Sequence, residues 1–171
     1  TGVQTCALPI SVGVSATEAY AGFAGGRLVA LGSANGSVLW EANVALPRGS
    51  TELERIADVT SEPLLGSGQV CAVAYQGRLA CFDAQRGTAM WARDLSSIVG
   101  MSGDARSIFV TDDRNALHGV DRASGASLWK QDRLSGRRVT APQWIGSNVV
   151  AGDLQGYLHV LRRDSGAFVG R

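Results

Sequence analysis

Apolar and polar residues come in short bursts along this chain, and the bursts end at turns that carry glycine. From position 70, "VCAVAY" is followed by the turn "QG", by "RLACF", by a second turn "DAQRG" and by a segment ending at Trp91. The spacing predicts an antiparallel hairpin with a two-residue loop. It then predicts a type I turn with Asp83 first and Gly87 in the left-handed position, leading into a further strand that ends at the tryptophan. Large apolar residues occupy both odd and even positions of these strands. They need cover on two faces, which a free antiparallel sheet seldom has.

The same pattern recurs three more times without a gap, ending at Trp40, Trp129 and Gly170. With Gly36, Gly87, Gly125 and Gly166 as position zero, position −8 is Leu28, Leu79, Leu117 and Leu158. Position −5 is Leu31, Phe82, Val120 and Leu161, and position +4 is Trp40, Trp91 and Trp129 in three copies. Position −10 is Gly26, Gly77, Asn115 and Gly156, residue types that tolerate a positive φ in a tight turn. A shorter strand upstream, in "SEPLLG" and "APQWIG", completes four strands per unit, with Pro63 and Pro142 near its start, where a missing N–H is tolerated. The zero-position glycines lie 51, 38 and 41 residues apart, near the period of about 40–45 residues of propeller blades. The fold class expected is all-β: a β-propeller of four-stranded antiparallel blades, with about four blades forming an open arc. The blades are expected at about 11–45, 61–95, 97–132 and 138–171, with an inter-blade insertion at 46–60.

Composition narrows the function classes. The chain has 171 residues, 45% of them hydrophobic, enough to bury a core, and 22 glycines, which suits many tight turns. Net charge is +1 with the signs mixed, so no basic stripe marks a nucleic-acid or anionic-membrane partner. No apolar run approaches the roughly 18 residues of a membrane span. The opening "TGVQTCALPI" resembles the translated read-through of a sequencing adaptor, so residues 1–10 are set aside as non-native. Cys6 goes with them. Cys71 and Cys81 flank the "QG" turn: a two-residue loop pairs Cys71 with Phe82 and Ala72 with Cys81, which puts the sulfurs on opposite faces and disfavours a disulfide. A three-residue loop would reverse that conclusion.

Candidate chemistry is sparse. His118 and His159 share position −7, but no third ligand recurs at that register, so hydrogen-bonded or solvent-facing histidines are expected and no metal site. The other candidate is the insertion "STELERIADVT". It carries Glu54, Arg55 and Asp58, and Leu53, Ile56 and Val59 at three-residue spacing suggest a short helical turn with an apolar edge. Loops held by a rigid scaffold carry binding function more often than the scaffold does.

The motif from Gly77 to Trp91 resembles the tryptophan-docking repeat of propellers of the pyrroloquinoline-quinone type. With "GRLVAL", "GSVLWEANV", "GSTELERIADVTSEPLL" and "VVAGDLQGYLHVL", the chain resembles the BamB family of outer-membrane protein assembly factors over about residues 11–171. That resemblance implies an eight-bladed lipoprotein propeller at the periplasmic face of the bacterial outer membrane. This chain would be an internal to C-terminal-half fragment of it, without the lipid anchor. It also implies a non-catalytic scaffold that uses no cofactor and binds the periplasmic repeats of BamA, with unfolded outer-membrane proteins as a second class of partner.

The family's acidic Asp-Val-Asp motif reads here Asp58, Val59, Thr60, so Asp58, Thr60, Arg55 and Glu54 are the candidate partner-binding residues. The resemblance gives Trp40, Trp91 and Trp129 a structural role, each packing flat on the adjacent blade. The family's other partner loop would lie before Ser11. Quinone-dependent dehydrogenases share the blade motif and form the alternative reading, but their Cys-Cys pair and carboxylate cluster are not recognisable here. A propeller sensor attached to another module is a third.

Overall fold

The computed structural model describes residues 11–45 and 57–171. Segment 1–10 and residues 46–56, with Leu53, Glu54, Arg55 and Ile56, lie outside the described residues. Sixteen strands form four four-stranded antiparallel sheets among the described residues. Blade 1 contains β1 (Val12–Val14), β2 (Glu18–Phe23), β3 (Arg27–Gly32) and β4 (Val38–Asn43). Blade 2 contains β5 (Leu64–Gly66), β6 (Gln69–Val73), β7 (Arg78–Asp83) and β8 (Ala89–Asp94). Blade 3 contains β9 (Met101–Gly103), β10 (Ser107–Thr111), β11 (Leu117–Asp121) and β12 (Ser127–Gln131). Blade 4 contains β13 (Gln143–Ile145), β14 (Asn148–Gly152), β15 (Leu158–Arg162) and β16 (Phe168–Gly170). Each sheet keeps its strands in chain order, and the first strands β1, β5, β9 and β13 lie side by side along the inside of the arc.

The core lies between blades rather than within them. Residues at −8 face the following blade and residues at −5 face the preceding one. Leu28 thus clusters with Phe82, Leu79 with Val120, and Leu117 with Leu161. Leu28, Leu79 and Leu117 are each 0% exposed, whereas Leu158, on the fourth blade, is 64% exposed. Burying one such leucine contributes about 1.5–3 kcal/mol, so the repeat is stabilised at its blade contacts.

The tryptophans lock these contacts. The indole N–H groups of Trp40, Trp91 and Trp129 donate to the carbonyls of Ala84, Arg122 and Arg163 at 2.8, 2.9 and 2.7 Å, always the residue three before the next blade's glycine. The ring lies on that glycine: a Cβ at Gly87, Gly125 or Gly166 would stand 2.4–2.5 Å from ring atoms of Trp40, Trp91 or Trp129. The strands do not end at the tryptophan, as the sequence suggests. β4 and β8 run three residues past it and β12 two.

The turn between β7 and β8 forms as expected. Asp83 Oδ1 accepts hydrogen bonds from the N–H groups of Gln85 and Arg86, and Gly87 adopts φ +68°. The β6–β7 loop differs from the two-residue expectation. Val73 pairs with Leu79 and the N–H of Ala74 bonds the carbonyl of Arg78, which leaves Tyr75, Gln76 and Gly77 as a three-residue loop. Gln76, not the following glycine, takes the left-handed conformation there, with φ +50°. The register therefore shifts by one: Cys71 lies opposite Cys81 and the two form a disulfide, contrary to the parity argument from sequence.

Candidate functional site

The antiparallel order gives the arc two ends. One carries the turns between the first and second and between the third and fourth strands of every blade. The other carries the β2–β3, β6–β7, β10–β11 and β14–β15 loops with the connections that lead from one blade to the next. Residues 57–60, the described part of the insertion, lie at this connection end.

Asp58 holds two blades together there. Its Oδ1 accepts a hydrogen bond from the N–H of Gly25 at 3.0 Å, in the β2–β3 loop of blade 1. Its backbone carbonyl accepts one from the N–H of Tyr75 at 2.8 Å, in the β6–β7 loop of blade 2. Ala57 and Val59 on either side are buried, and Val59 seats against Gly22, where a Cβ would stand 2.3 Å from the valine side chain. This alternation turns Asp58 outward, half-buried, with only Oδ1 hydrogen-bonded among the described residues. Thr60, also half-buried, donates from Oγ1 to the carbonyl of Ile98 at 3.1 Å, in the connection between blades 2 and 3. Loops of blades 1 and 2 and the connection to blade 3 thus converge on four residues. Glu54 and Arg55 fall outside the described residues.

The neighbouring connection is equally fixed. Ser97 is fully buried, donates to the carbonyl of Thr111 at 2.6 Å and accepts from the N–H of Gly100 at 3.0 Å. Gly100 adopts φ +106° beside Ser61, and the loop so formed presents Ile98 and Val99 to solvent. A hydroxyl buried with its partners satisfied holds an exposed apolar pair in one position.

Two carboxylate–imidazole pairs follow along the same end, the first half-buried at its carboxylate and the second buried. Asp112 Oδ1 accepts from the N–H groups of Arg114 and Ala116, while Oδ2 receives His118 Nε2 at 2.8 Å. In blade 4, Asp153 Oδ1 accepts from the N–H groups of Gln155 and Tyr157, and Oδ2 meets His159 Nε2 at 2.9 Å and Arg137 at 3.0 Å. Asp112 in the β10–β11 loop and Asp153 in the β14–β15 loop thus each shape that loop with one oxygen and hold the histidine of the following strand with the other. Burial pushes the His118 imidazole below its usual value, against the pull of Asp112 and with help from Lys130 and Arg93. It is therefore neutral at pH 7, and Nε2–H donates to the carboxylate.

Burial works to raise Asp112, but the His118 and backbone hydrogen bonds outweigh it and hold the carboxyl below the usual range. The His159 hydrogen bond, with backbone and Arg137 donors, outweighs desolvation at Asp153 and pushes its carboxyl far down. Neither ring is bonded to a hydroxyl or thiol among the described residues, so the pairs shape loops rather than complete a nucleophilic relay. Sequence reasoning singled out the histidines and missed their partners. The signal was there: Asp at −13 occurs in the same two copies as His at −7, whereas the other copies have Phe23 with Val29 and Ala74 with Ala80.

Comparison with known proteins fits this architecture. The family model of the outer membrane protein assembly factor BamB matches residues 3–131. The outer membrane protein assembly factor BamB of Alkalilimnicola ehrlichii is 45% identical over 146 residues, which cover 85% of this chain and 38% of that protein. The crystal structure of BamB from Moraxella catarrhalis superposes with a TM-score of 0.86 at 29% identity, over 93% of this chain and 48% of that one. A europium-containing methanol dehydrogenase superposes with a TM-score of 0.71 at 13% identity, a likeness of fold alone. The chain spans less than half the length of the curated relatives it matches.

Proposed function

Because this chain belongs to the family of the outer membrane protein assembly factor BamB, we propose that it is a non-catalytic scaffold segment of the outer-membrane β-barrel assembly machinery. Its connection end binds the periplasmic repeats of BamA and thereby aids insertion of β-barrel proteins, with unfolded outer-membrane proteins as a further class of partner.

The observation that carries this reading is the setting of Asp58. Backbone hydrogen bonds to two blades and buried flanking residues fix the segment, while part of the carboxylate stays open to solvent beside Thr60. A carboxylate so held loses little freedom when a basic group docks on it, and preorganisation of this kind favours affinity. Thr60 takes the place of the second acidic residue of the motif, and its hydroxyl is occupied by the Ile98 carbonyl. Among the described residues 57–60 the charge therefore rests on Asp58, with the exposed Ile98 and Val99 next to it as apolar contact.

The Cys71–Cys81 disulfide supports the periplasmic face of the outer membrane as the location, since such bonds persist in oxidising compartments. Co-purification tests the assignment: Asp58→Arg in the complete protein weakens recovery of BamA from membranes. Undiminished recovery would count against it.

A further inference from the structure

Cys71 and Cys81 lie within the contact between blades 2 and 3, and each is 0% exposed. Their cluster joins Val73 and Leu79 of the same hairpin to Leu95 of the connection and to Ile108, Val110 and Val120 of blade 3, with Trp91 and Met101 packed against it. Disulfides form and break by attack of a thiolate on a sulfur, so the attacking group needs access to that atom. Once blade 3 lies on blade 2, no third sulfur has that access. In a β6–β7 hairpin not yet covered by blade 3, the face that carries both cysteines is open to solvent.

We propose that the β6–β7 hairpin is the substrate of a thiol–disulfide exchange step that acts before blade 3 docks on blade 2, and that docking then seals the bond. The oxidant is a second disulfide. One cysteine thiolate attacks it, displaces one of its sulfurs as a thiolate and forms a mixed disulfide with the other. The second cysteine thiolate then attacks the hairpin sulfur of that mixed bond, forms Cys71–Cys81 and releases the remaining oxidant sulfur as a thiolate. The two cysteines lose two electrons and two protons, and the oxidant disulfide takes them up to become two thiols.

The bond also selects the strand pairing. Both faces of the hairpin are apolar: Val70, Ala72, Ala80 and Phe82 pack toward blade 1, and Cys71, Val73, Leu79 and Cys81 toward blade 3. A slip by one residue exchanges one apolar set for another, so the hydrophobic pattern separates the two registers weakly. In the register of a two-residue loop Cys71 lies opposite Phe82, the sulfurs point to opposite faces and the bond cannot close. Oxidation therefore holds the three-residue loop of Tyr75, Gln76 and Gly77. This loop ties two inter-blade connections together. The Tyr75 N–H bonds the Asp58 carbonyl at 2.8 Å, the Gln76 N–H bonds Ser96 Oγ at 2.7 Å, and the Ala74 carbonyl accepts from the Ser97 N–H at 3.4 Å. The inference does not rest on partner binding at Asp58, since it follows from burial of the two sulfurs.

The order of oxidation and folding tests it. The complete protein, reduced and unfolded, is refolded by dilution, with oxidised glutathione present from the start or added once the near-UV circular dichroism is constant. Trypsin cuts after Arg78, between the two cysteines, so after alkylation the bond is read by mass as two joined peptides. With late addition the bond forms about a thousandfold more slowly, because blade 3 must first open, and urea below the midpoint speeds it. Equal rates for early and late addition, with a native near-UV signal before the late one, overturn the proposal. If the reduced chain gains no native signal, the oxidised folded protein decides: dithiothreitol cleaves Cys71–Cys81 about a thousandfold more slowly in buffer than in denaturing urea. Cleavage at the same rate in both overturns the proposal.

Discussion

Replacing Gly36 or Gly125 by alanine isolates what a docked tryptophan contributes, because the two positions differ in little else. Both hold the same repeat register and nearly the same left-handed backbone, φ +67° and φ +74°. An alanine in that conformation costs about 1–2 kcal/mol wherever it stands. At Gly36 nothing lies within 4 Å of the added methyl, so the expected loss is that cost alone. At Gly125 the methyl would stand 2.5 Å from the Trp91 ring, which is pinned by its 2.9 Å hydrogen bond to the Arg122 carbonyl. Pushing the ring away adds about 1–3 kcal/mol of overpacking and about 1 kcal/mol for a weakened hydrogen bond. The expected gap between the variants is therefore about 2–4 kcal/mol, or about 4–16 °C in melting temperature at 2–4 °C per kcal/mol. Urea denaturation followed by tryptophan fluorescence measures it, with the slope against denaturant unchanged so that the midpoints compare directly. Equal destabilisation of the two variants would refute the reasoning, because the penalty would then be one of backbone conformation only.

Further outcomes follow from the other contacts. Replacing Cys71 and Cys81 together by alanine removes a ten-residue cross-link and costs about 3 kcal/mol by chain entropy. Reductant lowers the denaturation midpoint of the wild type and leaves the double variant unchanged, and a wild type insensitive to complete reduction would contradict the pairing. Lowering pH from 7 destabilises the fold in two stages. His118 binds its proton more readily when unfolded, so stability falls as pH drops below about 6.5; the depressed Asp112 and Asp153 carboxyls add a second loss below about pH 4. His118→Gln abolishes the first stage, and a wild-type profile flat between pH 7 and 5 would refute it. Asp58→Ala, which loses the acceptor for the Gly25 N–H, costs about 1 kcal/mol in the same denaturation assay, and Asp58→Asn, which can retain an acceptor, costs less.

Much of this fold is legible from four aligned copies, since the features that recur carry its physics. Leu28, Leu79 and Leu117 at −8, Gly87, Gly125 and Gly166 at zero and Trp40, Trp91 and Trp129 at +4 all lie at the contacts between blades. The disulfide was hidden by a single loop residue. In "YQG" the left-handed position falls on Gln76, so the glycine beside it suggests a shorter turn, and one residue of loop length reverses which cysteine faces which. The aspartates of the His118 and His159 pairs were legible only as joint substitutions in two copies, because each also serves as an ordinary loop residue. Asp58 shows the limit of motif reasoning. Its resemblance assigns it to a partner, while the structure gives one of its oxygens to Gly25, so the same side chain braces two blades.

That double engagement makes Asp58→Asn the decisive substitution, since it removes the charge and can keep the brace. Binding of the purified periplasmic repeats of BamA to the complete protein, wild type against Asp58→Asn, is the measurement that bears most directly on the proposed role. The charge contacted by a basic partner group contributes about 1.5–3 kcal/mol, so the variant binds at least about tenfold more weakly while its denaturation midpoint stays near that of the wild type. Equal affinities, or no binding by either protein, would contradict it.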